Sequence, residues 1–113
     1  MKITPNLNRR FELQERDLTP DGAGGFDVAW STLGTVWASV DTRRGSERVV
    51  GERAVSSVSY VFTVRGVPDG APSRPKPDQR FVDGDRVYSI LAVAEDDPHG
   101  HFLTCWTEEG SRE

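Results

Sequence analysis

His99, His101 and Cys105 are the residues of this chain whose types and spacing come nearest to reaction chemistry. All three types ligate zinc, and in an extended segment residues two or four apart share one side, so a shared ion is conceivable. The set is incomplete, however. The histidines fall at a turn signalled by Asp96-Asp97-Pro98 and Gly100, Cys105 follows Leu103 in a strand pattern, and no fourth ligand is suggested. A turn histidine pair beside a core thiol is the better account. Gly22, Gly24 and Gly25 precede a strand pattern rather than a helix, which is the wrong context for cradling a phosphate. With no Ser-His-Asp arrangement or nucleophile elbow, the expectation is a protein that is not an enzyme and uses no cofactor or metal.

Charge offers the other candidate. Between Thr42 and Ser57 stand Arg43, Arg44, Arg48 and Arg53 with Glu47 and Glu52, and the apolar residues there are Val49, Val50, Ala54 and Val55. Ser46 lacks a Glu or Gln three residues on to complete a capping box, and Gly51 would cost a helix about 1 kcal/mol against Ala. The segment is therefore predicted as a mobile loop with at most a short helical turn, able to bring arginines to phosphates. The net charge of -4 and the pI of about 5.2 exclude a general nucleic-acid-coating protein, yet they allow a local basic loop on an acidic body.

The elements that must position these residues read as strands. Phe11 and Leu13 alternate with Glu12 and Gln14, and the turn formers from Thr19 to Gly25 end that strand. Phe26, Val28 and Trp30 begin a second strand, Gly34 marks a bend or bulge, and Val36, Ala38 and Val40 continue it, with Trp37 on the other side. Val58 to Arg65 is the cleanest strand, rich in β-branched and aromatic types, and is expected to be central. From Gly66 to Gln79, Pro68, Pro72, Pro75 and Pro77 remove backbone donors, and with Arg74 and Lys76 they suggest an extended exposed arm suited to docking a partner. Asp83-Gly84-Asp85 joins Phe81-Val82 to the two-sided apolar run Val87 to Val93 as a hairpin, and Phe102 to Thr107 returns after a turn.

These parts make an all-β fold, a small antiparallel β-barrel or sandwich of five to six strands with long loops and at most one short helix. The 113 residues suffice for a single domain spanning 1–113. At 35% hydrophobic and 28% charged the chain is polar for its size, so partners are expected to cover part of its surface. One cysteine excludes an internal disulfide and fits a reducing compartment; no apolar run approaches the roughly 18 residues of a membrane span, and the N-terminus has no secretion-signal pattern. Trp30, Trp37, Tyr60, Phe62, Tyr88 and Trp106 are core or interface candidates. A small oligonucleotide-binding barrel would use Tyr60, Phe62, Tyr88 and Trp106 as stacking platforms, but those strands lack interleaved Lys or Arg.

In order and spacing the chain resembles the tailed-phage head-tail joining family, also called head-closure proteins or stoppers, which includes members from gene transfer agents. The likeness rests on Asn8-Arg9-Arg10, on Asp21 with Gly24-Gly25 and then Trp30, and on Thr35-Val36-Trp37-Ala38 ahead of Gly45 and Glu47. It continues in Tyr60 to Arg65 and in Gly84-Asp85-Arg86-Val87-Tyr88-Ser89-Ile90. The resemblance implies a structural protein of the virion or phage-like particle, made in the bacterial cytoplasm. It implies a homo-oligomeric ring, dodecameric in the family, set between portal or adaptor proteins on the head side and a tail terminator or tail tube on the other. Packaged double-stranded DNA would occupy the channel, with the segment holding Arg43, Arg44, Arg48 and Arg53 reaching into it. The neighbouring roles of connector adaptor and tail terminator are the alternatives.

Overall fold

The computed structural model describes residues 6–50, 53–68 and 70–110, and among these the side chains of all but residues 44–58. Six strands form in sequence order: β1 (Arg9–Pro20), β2 (Phe26–Val50), β3 (Arg53–Arg65), β4 (Arg80–Asp83), β5 (Arg86–Glu95) and β6 (Phe102–Glu109). They close into an antiparallel barrel in the order β1-β2-β3-β6-β5-β4. Closure removes the open sheet edges that a six-stranded sheet would otherwise present.

Alternation along each strand sends one side chain in two to the axis. Phe11 and Leu13 of β1, Ala38 of β2, Phe62 and Val64 of β3, and Leu103 and Cys105 of β6 are all buried there. Four aromatic rings fill the centre. Phe62 and Phe81 stack at 4.5 Å with planes 8° apart, Phe11 tilts against Phe62 at 4.8 Å, and Tyr88 meets Phe62 nearly edge-on at 5.2 Å. At one barrel end Gly66 donates its amide hydrogen to the His101 carbonyl at 2.7 Å, and a Cβ on Gly66 would overlap the Gly100 carbonyl. Only glycine permits that approach. Gly84, with φ 60°, supplies the left-handed residue of the two-residue β4–β5 turn.

Two expectations are corrected. Of the segment Thr42 to Ser57, residues 42–50 and 53–57 are strand rather than mobile loop, and Gly51 and Glu52 lie outside the described residues: β2 runs on to Val50, β3 starts at Arg53, and the ladder joins Thr42 to Tyr60 and Val50 to Arg53. Val49, Val50, Val55 and Val58 favour extended backbone, and a register shift between Arg44 and Glu47 takes up the extra residue around Gly45. The proline segment is likewise no extended arm. Successive turns fold it back, with Ala71 donating to the Pro68 carbonyl and Arg74 donating to that of Ala71. Pro75 and Gln79 are buried, and Asp78 and Gln79 exchange backbone bonds with Ile90 of β5. Prolines that cannot enter a ladder can still close the end of a barrel.

The barrel accounts for only part of the strand length. β4 pairs with β1 at Glu12, Leu13 and Gln14, and β3 pairs with β2 from Ala38 onwards. Beyond those points β1 and β2 pair with each other alone, from Glu15 opposite Ser31 to Pro20 opposite Phe26, as a projecting two-stranded ribbon. The ladder shifts register between Leu13 and Gln14, opposite Gly34 and Thr32, where the sequence suggested a bulge. The resulting outline measures 55 × 35 × 26 Å with a radius of gyration of 15.6 Å, against about 13 Å for a compact chain of roughly this length.

The Tyr88 hydroxyl is buried and makes no hydrogen bond of good geometry among the described residues, although the Arg9 side chain approaches it, and burial raises its pKa. Removing an unsatisfied buried hydroxyl costs little or helps. Tyr88→Phe is expected to match or exceed the parent in stability, by up to about 1 kcal/mol, whereas Phe62→Ala should lose about 3 kcal/mol or more through the cavity it leaves. Urea denaturation of both variants tests this, and a clear loss for Tyr88→Phe would mean that the hydroxyl is satisfied after all.

Candidate functional site

No converging reaction chemistry is found among the described residues. His99 and His101 are exposed in the β5–β6 turn with rings 5.6 Å apart, and the His101 ring meets Asp97 at 3.0 Å. Asp97 is occupied by the turn itself, accepting from the His101 and Phe102 backbone amides. Cys105 points into the core, where burial pushes its thiol up to about 12. The three residues of the zinc reading are therefore not brought together, and no other group of three His, Cys, Asp or Glu among the described residues could hold a metal ion.

The features that stand out are surfaces. Of the six aromatic candidates, Phe62 and Tyr88 are core and Tyr60 packs partly buried against them. The three tryptophans are outside. Trp37 is 52% exposed and Trp106 is 43% exposed, while Trp30 is half-buried beneath the Arg80 guanidinium, 3.9 Å from its ring. The Arg80 Nε also donates to Gln14 Oε1 at 2.7 Å, and Gln14 Nε2 reaches Thr32 Oγ1 at 3.3 Å. β1, β2 and β4 thus share one ordered outer face leading onto the ribbon.

On that ribbon the cross-strand pairs Arg16–Trp30, Leu18–Val28 and Pro20–Phe26 occupy one face. Glu15, Asp17 and Asp27 fall on the other, where Ser31 donates to Asp17 at 2.9 Å. The tip is held by Asp21, whose carboxylate accepts from the Ala23 and Gly25 amides; these bonds lower its pKa. Phe26 is 62% exposed at the end of the apolar face. The sequence displays this alternation plainly, but not which side of the ribbon would be left uncovered.

The channel-loop candidates divide at the limit of description. Arg43 is exposed on β2 opposite Ser59, at the root of the β2–β3 hairpin, whereas the side chains of Arg44, Arg48 and Arg53 lie outside the described residues. Of the docking candidates, Pro68, Pro72, Lys76 and Pro77 are exposed, Arg74 is half-buried and donates to the Val67 carbonyl at 2.9 Å, and Pro75 is buried. The segment presents a folded platform, braced by the Gln79 side chain accepting from the Lys76 amide at 3.0 Å.

A charge cluster that the sequence reading did not single out sits where β5 begins and β6 ends. Arg86 holds Glu109 through two bonds of 2.8 and 3.0 Å and lies 5.3 Å from the Tyr88 ring centre. That bidentate bond keeps the Glu109 carboxyl below the ordinary glutamate range and raises the Arg86 pKa. The spacing of twenty-three residues between the partners left no local signal in the sequence.

The sequence profile of the phage head completion protein family matches residues 3–110. A chain in the solved virion of a native gene transfer agent (GTA) particle is similar over 96% of this chain and 100% of its own length, at 44% identity and a TM-score of 0.81. No curated protein matches.

The depressed Glu109 pKa favours the folded state above the ordinary glutamate value of 4.5, and that contribution is lost as pH falls below it. The pair is solvent-exposed, so the effect should be small and shrink with salt. Glu109→Gln is expected to flatten the acid limb of a stability-pH curve below that value while leaving its shape at neutral pH unchanged. An unaltered acid limb would remove the pair from the account.

Proposed function

Because this chain belongs to the phage head completion protein family, we propose that it is a structural component of the head-tail connector of a tailed phage or gene transfer agent. In this reading identical copies form a ring that closes the DNA-filled head and offers the tail its docking surface. The observation that carries the proposal is the full-length correspondence with a chain of a gene transfer agent virion at 44% identity. The barrel supports it physically, because its chemistry lies in exposed faces and projecting ribbons rather than in a reactive pocket.

The β2–β3 hairpin is the element proposed to reach the channel. Its strand ladder makes it a stiffer projection than a loop, with Arg43 at the root and Arg44, Arg48 and Arg53 along it. Repeated around a ring, these arginines would meet phosphates of the DNA end, while the net charge of -4 on each copy opposes wider adhesion. Portal or adaptor proteins on one side and a tail terminator or tube on the other are the proposed partners, with the exposed Pro72, Lys76 and Pro77 platform as one contact. Its prolines are already fixed, so little chain entropy is lost on docking.

Deleting the gene should yield heads that package DNA but neither retain it nor acquire tails, visible by electron microscopy. Intact particles that still deliver DNA without this chain would overturn the reading. Arg43→Glu with Arg44→Glu should raise DNA leakage several-fold at unchanged occupancy in the particle, measured as nuclease-sensitive DNA. Unchanged retention would remove the arginines from the mechanism while leaving the structural role in place.

A further inference from the structure

Apart from Trp37, the exposed large apolar side chains among the described residues fall on two outer faces, on strands that the topology sets across the barrel from each other. In the cyclic order β1-β2-β3-β6-β5-β4, β1 stands across from β6 and β2 across from β5. One face is the outer side of the β1–β2 ribbon, with Leu18, Val28 and Phe26. The other is the β5–β6 wall, where Trp106 pairs with Ala92 and the register shift between Ile90 and Ala92 leaves Leu91 exposed beside them.

We propose that the outer face of the β1–β2 ribbon of one copy docks on the β5–β6 wall of a second copy, head to tail. The proposal rests on the ring reading above and names the surfaces the ring uses. Charge selects this pairing. On the ribbon's outer face from Gln14 to Pro20 and from Phe26 to Thr32 the only charged residue is Arg16, and the adjoining Arg80 adds a second base. The wall leans to the opposite sign: Arg86, the one base of β5, and Glu109 offset each other, and beside them stand Glu108 on β6 and Asp96, which receives a bond from Thr104. Ribbon against ribbon would oppose arginines, and wall against wall would oppose carboxylates, so both two-fold pairings are disfavoured.

Shape adds a seat. A depression of about 200 Å³ runs beside the ribbon, lined by Leu18 and Pro77 with the acids Glu15 and Asp78 balancing the bases Arg16 and Lys76, which is room for an apolar side chain such as Trp106. Since the two faces are different surfaces of one copy, the contact repeats from copy to copy. A repeating contact of this kind closes into a ring when its rotation allows.

Cysteines placed on the two faces test the contact in assembled particles, with a short bis-maleimide as probe. Cys105 is buried and its thiol raised, so it stays silent. The double variant Val28→Cys with Ala92→Cys is expected to give a ladder of dimers, trimers and larger species of this chain. Particles assembled from a mixture of the two single variants should stop at dimers, and Val28→Cys alone should stay monomeric. Three outcomes overturn the proposal: dimers from Val28→Cys alone, cross-links only to a protein of different mass, or no cross-link in particles that carry the double variant at normal occupancy. Absence of the chain from wild-type particles would instead overturn the connector reading itself.

Discussion

The stack of Phe62 on Phe81 is the contact on which the rest of the molecule depends. With Phe11 and Tyr88 it fills the axis of a narrow six-stranded barrel, and the width of those rings fixes how far apart β1, β3, β4 and β5 stand. Such a barrel needs only a few residues of each strand to close. β4 supplies four residues, whereas β2 supplies twenty-five. The excess must leave the barrel, and it leaves as two-stranded ribbons.

A two-stranded ribbon cannot bury both faces against itself. The β1–β2 ribbon therefore exposes an apolar face next to an acidic one, and the barrel wall diametrically opposite carries Trp106 and Leu91 outside. Surfaces of this kind on a small protein are characteristic of interaction sites. The folded proline segment adds a firm surface at the end of the barrel, since its buried Pro75 and its backbone bonds to Ile90 leave it little freedom to rearrange.

Most of the barrel was legible in the sequence because period-two alternation and turn chemistry act locally. Phe11 with Leu13, Tyr60 with Phe62, and the Gly84-Asp85 turn each announce themselves within a few residues. The Gly34 bulge was equally plain. Two readings failed where the deciding partner was remote in sequence. Thr42 to Ser57 looks too charged and too rich in glycine for regular structure, but its ladder supplies backbone bonds that composition does not reveal. The prolines from Pro68 to Pro77 signal an absence of ladder bonds without saying whether the segment extends or folds back; Ile90 and the open barrel end decide that. The Arg86–Glu109 pair and the seat of Trp30 under Arg80 are likewise products of strand order, not of local pattern.

β2 is unbroken from Phe26 to Val50 and belongs to both ribbons as well as to the barrel wall between them. Straight, twenty-five residues would stretch about 80 Å at the usual strand rise, longer than the 55 Å of the whole molecule. The strand must coil around the barrel, with its irregularities near Leu33 and Gly45 taking up the bend. A load applied at the Phe26 end then passes to the Val50 end along a continuous hydrogen-bonded spring, with no intervening loop to absorb it.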